Sequence, residues 1–223
     1  MKSPLLVASL LLAVAAVAAE VTETYESGPL NLLIADGSAV LTPSLLSITG
    51  SAIVTLSKIE VSFELVGAPA GTGFAQDMFV SLLRSEPGGP ITVTDASAIL
   101  LDRVPSAHDG WRVTLGDFAA QPIQTATPAL VTGVLLGAFR PAESLADAFG
   151  GLAATGDWRL NVGDLAAGGT MKLLNWSLTL TGESAVTDIP EPGTWAAGAA
   201  ALLALAGLRR PVSGFAMAPR SGR

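Results

Sequence analysis

The sequence contains no cysteine and one histidine, His108. Without cysteine the chain forms no disulfide, so its fold must be stabilised by a hydrophobic core. The Cys/His ligand sets of zinc sites are excluded for the same reason. A Ser–His–Asp triad would need His108, and the sequence has no Gly-x-Ser-x-Gly elbow. We interpret His108 as an exposed loop residue, and we expect no catalytic residue and no enzymatic activity.

Charged residues are also scarce, at 14% of the chain, and acidic residues outnumber basic ones by 19 to 12. The net charge of −7 makes the surface repel phosphate groups. We therefore expect no nucleic-acid partner and no adhesion to anionic lipid by charge alone.

The N-terminal segment has the three-part pattern of a secretory signal peptide. Lys2 precedes an aliphatic run over residues 5–16, and small residues at 16–19 offer a cleavage site. The pattern predicts a signal peptide over residues 1–19, whose partners are the secretion machinery and a signal peptidase. The run is short for a membrane span, and the alternative is an uncleaved N-terminal anchor.

Two tryptophan-bearing segments alternate strictly between apolar and polar residues, which is typical of strands with one apolar face. The apolar residues are Trp158, Leu160 and Val162 in the first segment, and Trp176 and Leu178 in the second. Because large indole surfaces need a covering layer, we predict an all-β antiparallel sandwich or jelly roll. Further strands are predicted over residues 59–65, 77–85, 91–94 and 110–117.

These strands predict one domain over residues 30–182, with linkers at 20–29 and 183–189 and a polar connection over 101–109. A ten-residue pattern, W-R-x-x-x-G-D-x-A-A, occurs twice within the domain. It begins at Trp111 and again at Trp158. The pattern indicates either that half of the domain is duplicated or that two strands end in similar turns.

Three aspartates at predicted strand ends are candidate metal ligands: Asp77, Asp117 and Asp164. Such carboxylates can join backbone carbonyls around Ca²⁺, a cation that prefers oxygen ligands. The alternative is that each aspartate caps a turn by accepting hydrogen bonds from nearby N–H groups. No ligand-dense loop is visible in the sequence, which favours capping, and no cofactor other than Ca²⁺ is expected.

Three segments resemble a known family. They are IEVSF followed by DMFVSLLRSEPG (59–63 and 77–88), GAFRPAESL (137–145), and GDWRLNVGD followed by NWSL (156–164 and 175–178). In this order, over about residues 27–182, they resemble the P domain, or Homo B domain. That domain follows the subtilisin-type catalytic domain of proprotein convertases and occurs in many secreted bacterial proteins. The resemblance implies an eight-stranded jelly-roll sandwich.

At the C-terminus, Pro190, Glu191 and Pro192 precede an uncharged apolar run that Arg209 and Arg210 close. This arrangement resembles the PEP-CTERM sorting signal of Gram-negative bacteria, which an exosortase recognises. The signal covers residues 190–210 and is followed by a tail over 211–223. As a hydrophobic helix, residues 193–208 would span about 24 Å, which is short for a bilayer core of about 30 Å. The alternative is a plain tail anchor, which the short span disfavours. The residues that carry the resemblance are Pro190, Glu191, Pro192, Arg209 and Arg210.

Two processing signals around one sandwich predict an exported, non-enzymatic protein of the bacterial cell surface or extracellular matrix. Its C-terminal segment would anchor it transiently in the inner membrane. One alternative is an accessory P domain associated with a subtilisin-like serine endopeptidase, acting in proteolysis through a separate protease subunit. Another is a carbohydrate-binding jelly roll that contacts surface polysaccharide. The inward register expected for Trp111, Trp158 and Trp176 argues against the second alternative.

Overall fold

The fold consists of two β-sheets packed face to face around a shared hydrophobic core. It is seen in a computed structural model that describes residues 18–185 except 72–74, 93, 106–107, 127–129 and 132. The prediction of an all-β sandwich is confirmed. The strands are β1 (Glu20–Glu26), β2 (Leu32–Ile34), β3 (Thr42–Ile48), β4 (Ile53–Gly67), β5 (Met78–Ser85), β6 (Ala96–Asp102), β7 (Gly110–Gly116), β8 (Leu130–Val131), β9 (Val134–Phe139), β10 (Gly156–Asp164) and β11 (Met171–Ser184).

The larger sheet has seven strands in the order β1-β11-β4-β7-β9-β8, and β2 pairs with the same strand, β11, as β1 does. Its pairs are antiparallel except β7 and β9, which run parallel. The smaller sheet has four antiparallel strands in the order β3-β10-β5-β6. The described chain therefore has more strands than the P-domain resemblance implies, and one parallel pair that an antiparallel sandwich does not predict.

The three tryptophans of the described chain lie in the core and are at most 1% exposed. Trp158 belongs to β10 in the smaller sheet, whereas Trp111 and Trp176 belong to β7 and β11 in the larger one. Each sheet consequently covers the indoles of the other. A short helix, α1 (Leu145–Phe149), packs against β4 and β6 and places the Phe149 ring 5.2 Å from that of Trp158.

The prediction of a linker over residues 20–29 is wrong for its first seven residues, which form β1 and pair with β11. No side chain of β1 is fully buried, so the segment lacks the apolar row by which strands are usually detected. Pairing stabilises it instead, since the Thr22 and Thr181 hydroxyls lie 2.8 Å apart across the two strands. At the other end of the domain, β11 continues to Ser184, two residues past the predicted boundary.

The predicted strand over residues 91–94 is also wrong. Ile91 is half exposed and the strand, β6, begins at Ala96 instead. The alternation in β6 is broken by a register shift opposite Val80 and Ser81, so Leu100 and Leu101 are both buried although they are adjacent. A bulge of this kind hides a strand from a search for strict alternation, and it explains why residues 101–102 were assigned to a connection.

Candidate functional site

Asp117 caps α1. Its carboxylate accepts hydrogen bonds from the backbone N–H groups of Leu145 at 3.0 Å and Ala146 at 2.6 Å, and from the Ser144 hydroxyl at 3.2 Å. Ser144 is itself the N-cap, because its hydroxyl accepts from the Asp147 N–H at 3.1 Å. The capping interpretation therefore describes Asp117, whose oxygens satisfy the free donors of a helix start.

Asp164 is fully buried and has no partner for either carboxylate oxygen. It ends β10 and continues the inward row of Trp158, Leu160 and Val162, all of which are fully buried. Burial raises the pKa of Asp164 to about 6, and the nearby carboxylates of Asp36 and Asp77 add to the effect. The Ala166 amide lowers the pKa, although it makes no hydrogen bond of normal geometry to the carboxylate.

Asp77 and Asp36 lie on two loops that meet the end of β10. Asp77 ends a 3₁₀ turn (Ala75–Asp77), and its backbone carbonyl accepts from the Leu165 N–H at 3.0 Å. Asp36 lies in the turn after β2, and its Oδ1 accepts from the Gly168 N–H at 3.0 Å. The Ser38 N–H donates to the Asp164 carbonyl at 2.9 Å, which joins the Asp36 loop directly to β10.

The structure thus brings together two of the three aspartates predicted as metal ligands, Asp77 and Asp164, and engages Asp117 with α1 instead. Asp36 was missed, because its Asp-Gly turn is separated from Asp164 by most of the domain sequence. Pairing of β2 with β11 and of β3 with β10 is what carries that turn to the end of β10. The described part of the chain contains no group of three or more His, Asp or Glu side chains that is placed to hold a metal ion.

His108 is not the exposed loop residue that the sequence suggested. It is half-buried, and its ring lies edge-on to that of Trp111 with centroids 6.1 Å apart. Its Nδ1 is buried without a hydrogen-bond partner, and burial lowers the pKa of the imidazole. The histidine of a catalytic triad needs a carboxylate that orients its ring through a hydrogen bond. The ring contact found at His108 is instead with the indole of Trp111.

The other end of β10 carries a polar network. Asp157 accepts from the Ser47 hydroxyl at 2.6 Å and from the Gly88 N–H at 2.9 Å, and these two hydrogen bonds lower its pKa. The guanidinium of Arg84, nearly buried, donates to the Thr155 carbonyl at 2.5 Å. These contacts hold the loops of the smaller sheet together and engage both carboxylate oxygens of Asp157.

An open depression of about 470 Å³ lies beside α1. The Phe118 ring, 53% exposed, forms one wall, and the Lys58 ammonium lies 3.9 Å from its centroid. The sequence gives no sign of this feature, because Phe118 is a single aromatic residue in the turn after β7. The lining residues are Ser57, Lys58, Ile59, Asp117, Phe118 and Ala146.

The residues of the predicted sorting signal lie outside the described residues, and so do residues 1–17 of the predicted signal peptide. This applies to Pro190, Glu191, Pro192, Arg209 and Arg210. Among the described residues, no helix has the length and apolar character required to cross a bilayer.

No protein-family model matches the chain, and no curated protein matches it. Solved structures that are similar to it include two that contain a serine protease of Aeromonas sobria. One is a crystal structure of a serine protease of Aeromonas sobria, with 21% identity and a TM-score of 0.46 over 75% of this chain and 28% of that chain. The other is a crystal structure of the Aeromonas sobria serine protease in complex with the chaperone ORF2, with 20% identity and a TM-score of 0.44 over 75% and 27% of the two chains. The chain therefore spans less than a third of the length of either chain.

Proposed function

We propose that this chain is a non-catalytic binding or structural module of an exported bacterial surface protein, sorted through its C-terminal segment by an exosortase. The surroundings of His108 support the non-catalytic part most directly. His108 is the only histidine in the sequence. Its ring packs against Trp111, and its Nδ1 is buried without a hydrogen-bond partner. A triad requires the opposite arrangement, with one ring nitrogen held by a carboxylate and the other facing a nucleophile.

A peptidase assay tests the absence of catalysis. The full chain is incubated with a broad peptide library, beside the variant His108→Ala. We expect no turnover above buffer from either protein. Turnover by the wild type that disappears in His108→Ala would overturn the proposal, since a contaminating peptidase would be unaffected by the substitution.

The sorting part of the proposal is supported by the residues Pro190, Glu191 and Pro192, followed by an uncharged run and the pair Arg209 and Arg210. The test is the intact mass of the protein recovered from a host that has an exosortase and from one that lacks it. We expect the C-terminal segment to be removed in the first host alone.

The variants Glu191→Ala and Glu183→Ala sharpen this test. Both replace a glutamate near the C-terminus, but Glu183 belongs to β11 and not to the sorting motif. Glu191→Ala should keep its full C-terminal mass, and Glu183→Ala should be processed like the wild type. Equal masses for all three proteins in both hosts would contradict sorting by an exosortase.

A second candidate function is that of an accessory module bound to a separately encoded serine endopeptidase. It is favoured by the P-domain-like segments of the sequence, in particular residues 156–164 and 175–178. The test is purification of the full chain from its native envelope. A serine endopeptidase recovered in a one-to-one complex, which dissociates neither in salt nor on gel filtration, would support this function over a free-standing module.

Carbohydrate binding is the weaker alternative. Sugar-binding sites commonly present exposed aromatic rings, whereas Trp111, Trp158 and Trp176 are buried. The exposed ring of Phe118 remains, beside Lys58. Binding of the full chain to a glycan array that is lost in Phe118→Ala would revive this function.

A further inference from the structure

We propose that the loops carrying Asp36, Asp77 and Asp164 form a calcium site at the end of β10. The proposal concerns the sandwich itself and does not depend on export or sorting of the chain. It starts from Asp164, whose carboxylate continues a row of buried apolar side chains and yet has no hydrogen bond.

A buried carboxylate without a partner is costly. Desolvation of an ionised group is compensated in proteins by a counter-charge, by hydrogen bonds or by a metal ion. The charged groups that act on Asp164 are the carboxylates of Asp36 and Asp77, which have the same sign. Both carboxylates therefore repel that of Asp164, and the described surroundings of Asp164 supply neither a cation nor a donor of normal geometry.

A divalent cation would relieve this repulsion, because it neutralises two carboxylates at once and supplies a partner for the buried oxygens of Asp164. Ca²⁺ prefers oxygen ligands and accepts a flexible geometry. Backbone carbonyls and water complete its coordination number of six to eight.

The three loops are tied together by their backbones, which limits how far the carboxylates must move. Ser38 is bonded to the carbonyl of Asp164, and Leu165 to the carbonyl of Asp77. Gly37 packs so closely on Ala167 that an added Cβ would lie 3.2 Å from the Ala167 backbone nitrogen. Because the side chains do not yet form a ligand cluster, calcium binding would draw Asp36 and Asp77 towards the fixed carboxylate of Asp164.

The test is thermal unfolding of the full chain in mild detergent at pH 7.5, after removal of divalent ions with EGTA. Calcium at 5 mM should raise the unfolding temperature by about 2–8 °C, given the 10⁻⁴–10⁻³ M affinity of extracellular calcium modules and the size of the domain. Magnesium at the same concentration should have a smaller effect. Isothermal titration with calcium chloride measures the binding directly.

Three variants decide whether the effect belongs to this site. Asp164→Asn should abolish the calcium-induced rise and the binding. Asp36→Asn, at an exposed turn that tolerates substitution, should weaken calcium binding at least tenfold, and it keeps the test valid if the buried variant does not fold. Asp117→Asn serves as the control, because it weakens the cap of α1 but should leave the calcium-induced rise unchanged.

Two results would overturn the proposal. One is the absence of both a temperature shift and a binding isotherm for the wild type at 10 mM calcium. The other is a calcium-induced rise that persists at full size in Asp36→Asn and Asp164→Asn, which would locate the ion elsewhere. Neither result bears on peptidase activity or on C-terminal processing, so this proposal and the proposed function can fail separately.

Discussion

The indole N–H of Trp176 donates a hydrogen bond to the Ser44 hydroxyl at 2.8 Å, and the bond joins the two sheets through the core. Trp176 lies on β11 of the larger sheet and Ser44 on β3 of the smaller one, and both side chains are buried. A buried N–H that meets its acceptor on the facing sheet fixes how the two layers are aligned.

Removal of the Ser44 hydroxyl should destabilise the protein, because the buried Trp176 N–H then loses its partner. We expect Ser44→Ala to lower the free energy of unfolding by about 1–3 kcal/mol, measured by denaturant titration with tryptophan fluorescence. Ser81→Ala, on β5 of the same sheet, is the matched control and should change stability by no more than about 0.5 kcal/mol. Equal losses in the two variants would contradict a role for the cross-sheet bond.

Loss of the Asp117 carboxylate should weaken α1. Asp117→Ala removes the acceptor of two backbone N–H groups at the helix start, and we expect a loss of about 1–2 kcal/mol. Asp147→Ala, at an exposed position in the same first turn, should cost less, because its carboxylate interacts with the helix dipole alone. The stability of both variants is measured by thermal unfolding. A loss in Asp147→Ala as large as that in Asp117→Ala would contradict the prediction.

The stability of the domain should fall in acid partly through Asp157. Hydrogen bonds from Ser47 and Gly88 lower the pKa of Asp157 in the folded state. The unfolded chain then binds the proton more tightly than the folded one, so the stabilisation is present above the unfolded pKa of about 3.9. It is lost as pH falls through the folded pKa.

Asp157→Asn tests this pH dependence. The variant should be less stable than the wild type by about 1–2 kcal/mol at pH 7, and the difference should shrink below about pH 4. The measurement is the free energy of unfolding of both proteins between pH 3 and pH 7. A difference that stays constant over this range would show that the charge of Asp157 contributes nothing.

Gly182 should tolerate no side chain. It lies on β11 at a register shift against β4, where an added Cβ would overlap the Thr55 carbonyl oxygen and approach Ile53 Cγ2 to 2.6 Å. The clash involves backbone, which cannot move without breaking the pairing, so Gly182→Ala should cost more than about 2 kcal/mol. Gly50→Ala is the control, since nothing lies within 4 Å of its Cβ position, and it should be nearly neutral in the same denaturant titration.

The sequence predicted the strands that have a buried row on one face. Trp158, Leu160 and Val162 are inward on β10, and Ile59, Val61, Phe63 and Leu65 are inward on β4. Burial on one face of a strand leaves a period-two record that can be found without a structure. The strand β1 was missed, because its existence depends on pairing with β11, and β6 was missed, because a bulge interrupts its alternation.

The repeated pattern W-R-x-x-x-G-D-x-A-A shows which features follow from the sequence and which follow from the tertiary structure. The sequence by itself determined that both copies, beginning at Trp111 and Trp158, form a strand whose tryptophan is buried and whose aspartate stands at the strand end. The tertiary structure decided that one aspartate, Asp117, meets the free N–H groups of a helix, and that the other, Asp164, meets two carboxylates. The reason is physical: alternation is a local property of the chain, whereas the partners of a strand end come from segments that are distant in sequence and are brought there by strand pairing.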